Sequence, residues 1–402
     1  MSAEGAEGSV RLTTNPLLWG AYLACSWTWC IGMFLPGLLL RDHGWLGFIV
    51  FAVPNVVGAA AMGWVLTSPE ASKRFVEKHS GWVWWFGVVT IAYHVYWALW
   101  AGPMIRDALG LTDTYLFGAG AVVVAFAIVS GRIVRAGKAP ALSAVLMLVS
   151  LGLLVAMLVT GAGDAATDAL IEAPKSSYSA WFLGPLACLG FLLCPYLDGT
   201  FHHAREHLPG KTSGRVGFTV GFGVLFAAMI VLTTRYAGWI LGGGAWAVPE
   251  WLGAWLVVHL GCQWVFTVRV HLDRLHAIRG DSIGTMQISY GTALLAAGLG
   301  LGLARAGSYA AMSMGEVGYR SFLWFYGLVF PCAVLYRAVR AHSTGVPMQR
   351  WMMWAAIGVA TPMFWMGFIE RQLVWLIPGV VVAAVGAFVL KGTDRSDAHT
   401  MM

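Results

Sequence analysis

What most constrains this chain is the recurrence, from one end to the other, of apolar runs long enough to cross a bilayer. A spanning helix needs roughly 17–25 predominantly apolar residues. Such runs lie near 16–40, 43–67, 80–105, 114–131, 139–161 and 179–203, and again near 214–241, 245–268, 284–304, 319–337, 349–369 and 373–390. Of all residues 58% are hydrophobic and 11% charged, against about 25% charged in soluble domains. The expected fold is therefore an all-α polytopic membrane protein with twelve transmembrane helices. No loop is long enough for a soluble domain, which sets aside receptor kinases and membrane-tethered enzymes, and an enzyme is not expected.

Charge sets the expected orientation. With the N-terminus inside, the cytoplasmic segments hold 18 of the 25 Lys and Arg, an excess that recurs at every alternate loop as the positive-inside rule requires. Both termini are expected in the cytoplasm (segments 1–15 and 391–402) and the protein in a plasma membrane, a bacterial inner membrane by its character. The stretch "MSAEGAEGSVRLTTN" is polar with two glutamates and lacks the basic start of a signal peptide. The acidic segment 162–178 is expected to be an external loop. All six cysteines fall inside apolar runs, so no loop disulfide framework is expected.

Short matches recur at nearly one offset. "LAC" at 23–25 returns at 186–188, Cys30 meets Cys194, "RDH" at 41–43 meets "REH" at 205–207, and His94 meets His259. The orientation puts "RDH" at the outer end of the first run and "REH" at the inner end of the sixth. The expectation is a five-plus-five inverted repeat, 16–161 and 179–341, with two extra helices in 342–390. In transporters built this way the first helix of each repeat is broken near the midplane, where unwound backbone and half-helix ends bind solute and ions. The sixth run carries the signal in "LLCPYLDGTFHHAREH": Pro195 removes an amide hydrogen and Gly199 loosens the backbone. Irregular backbone facing lipid is too costly, so such a break should line a cavity. The counterpart in the first run is "CSWTWCIGMFLPG", with Gly32 and Pro36–Gly37 as the expected breakers.

The stretch "CIGMFLPGLLLRDHGWLGFIVFAV" is similar to the first-helix pattern of the amino acid–polyamine–cation superfamily, and "CPYLDGTFHHA" resembles the Pro-containing sixth helix of sodium–solute symporters in the same fold group. The resemblance implies a LeuT-like fold and secondary transport coupled to sodium or protons. It spans the chain as architecture but only two short stretches as motif. The expected Ser/Thr pair of a sodium site in span 8 is missing, with only Thr267 near the right depth, and the Asp-Pro-Gly-Asn of the divalent-metal branch is absent from span 1.

Polar groups at membrane depth are the candidate site. Asp198 is the one acidic residue expected well inside a span, where an unpaired carboxylate costs roughly 2.5–3.5 kcal/mol. It is expected either to cap the second half of the sixth helix or to bind a cation, a substrate amine or a coupling proton. His94 and His259 sit mid-span as packing groups, proton relays, substrate contacts or haem ligands. Ser26, Thr28, Cys30, Gly32, Cys194 and Tyr196 flank the two breaks. The pattern "HAREH" at 203–207 matches an inverted zinc-protease motif, but its histidines are expected to form an interfacial cluster with Arg205. No phosphate-cradling loop, nucleophile triad or nucleic-acid patch is visible. The leading expectation is a secondary transporter of a small organic solute by alternating access, without cofactor or metal beyond a coupling Na+ or H+. Its partners would be the solute and the lipid bilayer, its cavity aromatic and apolar with one carboxylate. The alternatives are a haem- or metal-binding redox protein using His94 and His259, and a non-transporting receptor or complex subunit on the same fold.

Overall fold

The computed structural model describes residues 14–173, 175, 178–280, 282–340 and 347–387. The segments expected at the two cytoplasmic ends lie almost wholly outside these residues, as does part of the external loop. The described chain is all-helical apart from one two-residue hairpin, Ser308–Tyr309 paired with Met312–Ser313. Nine of its helices are long and apolar enough to cross a membrane.

Helix α1, Pro16–Trp27, starts on a clear signal: Asn15 caps it by accepting from the Leu17 amide at 2.8 Å, and Pro16 occupies the first turn. It stops at Trp27. Thr28 (ψ 66°) and Trp29 (ψ 176°) are not helical, and α2 begins at Cys30 and runs to Val65. The expected spans 16–40 and 43–67 are therefore divided differently. The interruption falls at Thr28–Trp29, four residues before Gly32, and α2 carries straight through Pro36 and Gly37. Proline at 36 leaves the Gly32 carbonyl without its i+4 amide, and the Thr233 hydroxyl takes that place, donating to Gly32 at 2.7 Å. The Tyr236 hydroxyl donates to the next carbonyl, Met33, at 2.8 Å. What separates the two expected spans is a bend at Gly44, whose φ of +65° suits glycine.

Helix α3, Pro69–Leu109, includes the expected third span and bends at His79. It is followed by α4 (Asp113–Arg135), α5 (Ala139–Thr160) and the short α6 (Asp164–Glu172) in the external-loop region. The expected sixth span is α7 (Gly184–Leu193), a 3-10 turn Cys194–Leu197, an extended Asp198, and α8 (Gly199–His207). Then come α9 (Gly210–Leu241), with a π-helical turn at Gly221–Phe226, α10 (Glu250–Arg279) and α11 (Ile283–Ala304). After the hairpin, α12 (Met314–Arg337) has a π turn at Phe325–Val329, and α13 (Pro347–Phe368) and α14 (Leu373–Ala387) complete the described chain.

The discontinuous α1–α2 and α7–α8 lie against each other and are enclosed by α3, α9, α10 and α12. Close approach needs small residues. At Gly58 of α2 a Cβ would come within 2.2 Å of the Phe191 carbonyl of α7. The outer faces of α5 and α11 are apolar, with Leu148 70%, Val159 80% and Leu294 73% exposed. Large exposed apolar faces of this kind suit contact with hydrocarbon rather than water.

Candidate functional site

The two interruptions meet. Asp198 begins α8: its Oδ1 accepts from the Thr200 amide and from the Thr200 hydroxyl, both at 2.7 Å. This is an N-cap, the structural role expected for it. The Thr200 hydroxyl shares its one proton between Asp198 Oδ1 and Ser26 Oγ, the latter at 3.1 Å, and Ser26 donates to the Leu23 carbonyl at 3.1 Å, so the cap is tied to the last turn of α1. Trp27 packs on Phe201 with ring centroids 4.9 Å apart, and Trp29 on Tyr326 at 5.2 Å.

The first interruption is satisfied by neighbours. The Cys30 amide, the first of α2, donates to His94 Nε2 at 3.2 Å, and His94 Nδ1 donates to the Thr90 carbonyl at 2.7 Å. Both ring nitrogens of His94 are thus engaged. Tyr319 donates to the Cys30 carbonyl at 3.0 Å, Thr28 to Ala24 at 2.7 Å, and Thr267 to Cys25 at 3.2 Å. At the second interruption Cys194 Sγ donates to the Tyr326 carbonyl at 3.2 Å.

Ser26, Thr28, Cys30, His94, Cys194, Asp198 and Thr267 are brought together, and Gly32 lies just beyond along α2. Two candidates are not. His259 pairs with Ser150 of α5 at 2.9 Å and sits beside Tyr236, away from both interruptions. The Tyr196 ring turns to Phe75, while its carbonyl accepts from His202 Nε2 at 2.9 Å. Helices α3 and α10 end at Leu109 and Arg279, and α4 and α11 begin at Asp113 and Ile283, each pair 170 residues apart. The histidines are 165 apart, and Cys30 follows its interruption whereas Cys194 precedes its own.

The "HAREH" cluster is not interfacial as a whole. Arg205 is fully buried, donating to the carbonyls of Leu66, Leu208 and Gly210, and buried His202 accepts from Ser72 at 2.8 Å. His203 and His207 form a layer with Trp19, whose ring stacks on His207 at 4.9 Å, and Arg274 donates to His203 at 2.9 Å.

At the opposite end of the interruptions lies a group of charges that the apolar runs had left in loops. Arg41 makes a two-pronged pair with Glu316 at 2.6 and 3.0 Å and contacts Asp42 at 2.9 Å, while Arg320 bonds Glu316 at 2.7 Å and also Asp42. Asp42, Glu316 and Arg320 are buried, so Asp198 shares the buried interior with two other carboxylates. Two arginines facing two carboxylates keep the group neutral, which is what makes its burial tolerable. Lys175 donates to the Arg41 and Leu170 carbonyls; burial pushes its ammonium below the usual range and Asp42 opposes that.

Between this network and the interruptions is a cavity of about 80 Å3, lined by Trp27, Trp29, Phe51, Phe191, Leu323, Tyr326 and Phe368, with Asn55, His43 and Arg320 as polar groups. Its aromatic, apolar character matches the expectation. The carboxylate does not: Asp198 is fully buried and outside the lining, and the charged group that reaches the cavity is Arg320.

One partner was missed in the sequence. His271 Nε2 lies 3.9 Å from Asp198 Oδ2, and neither atom has a hydrogen-bond partner among the described residues. The signal was a stripe on α10: His259, Gln263, Thr267 and His271 recur every fourth residue, and all four are buried. That spacing puts them on one helix face.

No protein-family model matches this chain, and no curated protein matches it.

Proposed function

We propose that this protein is a secondary active transporter that moves a small organic solute by alternating access around the Thr28–Trp29 and Asp198 interruptions. The observation that carries the reading is that two interrupted helices meet in the interior, tied by Thr200 and Ser26 at 3.1 Å. Interrupted backbone at membrane depth is tolerated where protein or a water-filled cavity covers it, and in transporters it forms the binding site. Twelve spans in a five-plus-five inverted repeat suit this reading, and so does the 170-residue recurrence of helix boundaries. That offset replaces the one suggested by the cysteines and histidines. Membership of the amino acid–polyamine–cation superfamily is part of the same proposal.

Two closures support it. The network of Arg41, Asp42, Glu316 and Arg320 joins α2 to α12 on the side that the charge bias assigns to the exterior. The layer of Trp19, His203, His207 and Arg274 joins α1, α8 and α10 on the other. In the proposed cycle one closure opens while the other holds. The cavity between them favours an apolar or aromatic body whose polar end meets Asn55 or Arg320, rather than the cationic end expected when a carboxylate was placed in the lining.

The test is thermal stability of the purified protein against a panel of amino acids, amines, carboxylates and aromatic solutes, each in sodium and in choline at two pH values. A ligand that binds only the folded state raises the melting temperature by mass action. A solute-specific shift that depends on sodium or pH supports the reading. A Soret band or stoichiometric metal in the same sample, with no shift for any solute, would replace it with the redox alternative.

A further inference from the structure

The Asp198–His271 gap carries one step more. Asp198 Oδ1 accepts two bonds from Thr200, while Oδ2 is buried and has no hydrogen-bond partner among the described residues. Across 3.9 Å it faces His271 Nε2, also buried and unpartnered. The other side of the imidazole is directed at the Ser26 carbonyl, which also accepts from Trp29 Nε1 at 2.6 Å. An imidazole that donates there presents a lone pair at Nε2. Two acceptors then face each other across 3.9 Å in the buried interior. A single proton converts that arrangement into an N–H···O hydrogen bond and draws the two groups together. A hard cation takes a cage of roughly six or more oxygens, and among the described residues no group of three or more His, Cys, Asp and Glu side chains is placed to hold a metal ion.

The surrounding groups leave the pair to itself. Tyr22 of α1, Cys30 of α2, Cys194 beside α7 and Tyr326 of α12 are of residue types that carry no charge at neutral pH, and His94 of α3 is engaged on both nitrogens. On α10, Arg274 is held by Asp273 at 2.5 Å and by His203 at 2.9 Å.

We propose that Asp198 and His271 are a proton-binding pair, and that this proton is the coupling ion. One proton enters the gap when the site is open to one side of the membrane and leaves when it is open to the other. The leverage is built in. His271 belongs to the continuous α10, Asp198 caps α8, and Thr200 and Ser26 pass any movement of the cap to α1. Proton binding by the pair stands without the transport reading, and its role in coupling rests on that reading.

The first measurement is an infrared pH titration of the purified full-length protein, following the carbonyl stretch of a protonated carboxyl group. The expected result is a band equivalent to one carboxyl per protein that is absent in Asp198→Asn. Its midpoint should move by about one pH unit or more in His271→Gln, as removal of an adjacent titrating partner requires. Asparagine retains the capping oxygen, so Asp198→Asn is expected to fold, and His271→Gln provides an independent second variant. A band that survives Asp198→Asn, or a midpoint unmoved in His271→Gln, overturns the pair.

The second measurement uses proteoliposomes with a trapped pH dye, challenged with the same solute panel. Solute-driven proton entry lost in His271→Gln, with the solute's melting-temperature shift retained, supports coupling. A titrating pair with no solute-driven proton movement keeps the proton site and removes its coupling role. Solute uptake that ignores the pH gradient and survives His271→Gln keeps transport and overturns the proton as coupling ion.

Discussion

The two interruptions differ in how they are made and in what they leave over. The first has no proline or glycine at its break. It opens at Thr28–Trp29 and is closed from outside by His94, Tyr319 and Thr267, each bonding a backbone group of Cys25 or Cys30. The second carries its own breakers, Pro195 and Gly199, and its own cap in Asp198. One is satisfied by its neighbours. The other retains a carboxylate oxygen and, facing it, an imidazole nitrogen without partners. A break held by bonds from other helices serves as a structural joint, and a break with a residual acceptor pair has chemistry to offer.

That contrast can be broken or sharpened by substitution. The largest effect is expected at the first break. His94→Leu strands the buried Cys30 amide, a loss of about 1–3 kcal/mol, and should lower the melting temperature at every pH tested. His94→Gln, which can still accept, should recover part of it. Next comes Asp198→Ala, which removes a helix cap worth about 0.5–2 kcal/mol. Asp198→Asn should lose markedly less, measured by the same melts. Thr200→Val removes the link to Ser26 and one bond to Asp198. Hydrogen bonds between membrane helices average about 0.6 kcal/mol, so a drop near 1 kcal/mol is expected in chemical denaturation. The smallest effect belongs to Pro195→Ala, expected within about 0.5 kcal/mol because the Asp198 amide already closes the turn on the Pro195 carbonyl at 3.1 Å. If Pro195→Ala proved as damaging as His94→Leu, the account of the second break as self-capped would fail.

Much of this was legible in the sequence, unevenly. Apolar runs and the Pro195–Gly199 signal located most long helices and the second break, because both arise from local chemistry. The first break lies within the expected stretch 25–37, but its breakers were misassigned to Gly32 and Pro36–Gly37 because its cause is not local. Thr233 supplies the bond that Pro36 lacks, and His94 the one that the start of α2 needs, from helices far along the chain. Charges misled in another way: Asp42, Glu316 and Arg320 ended the apolar runs, yet mutual pairing lets them be buried within α2 and α12. His271 shares a four-residue spacing with Thr267 and Gln263 that is visible in the sequence, but its approach to Asp198 is made only by the fold, which brings positions 73 residues apart together.

The measurement that bears most directly on the central claim is uptake of a solute selected by thermal shift into proteoliposomes, comparing the native protein with Asp198→Asn. The expected result is accumulation by the native protein against a solute gradient when an ion gradient is imposed, and near-complete loss of accumulation in Asp198→Asn with its melting temperature retained. A solute that binds but never crosses, or equal accumulation by both proteins, would contradict the account.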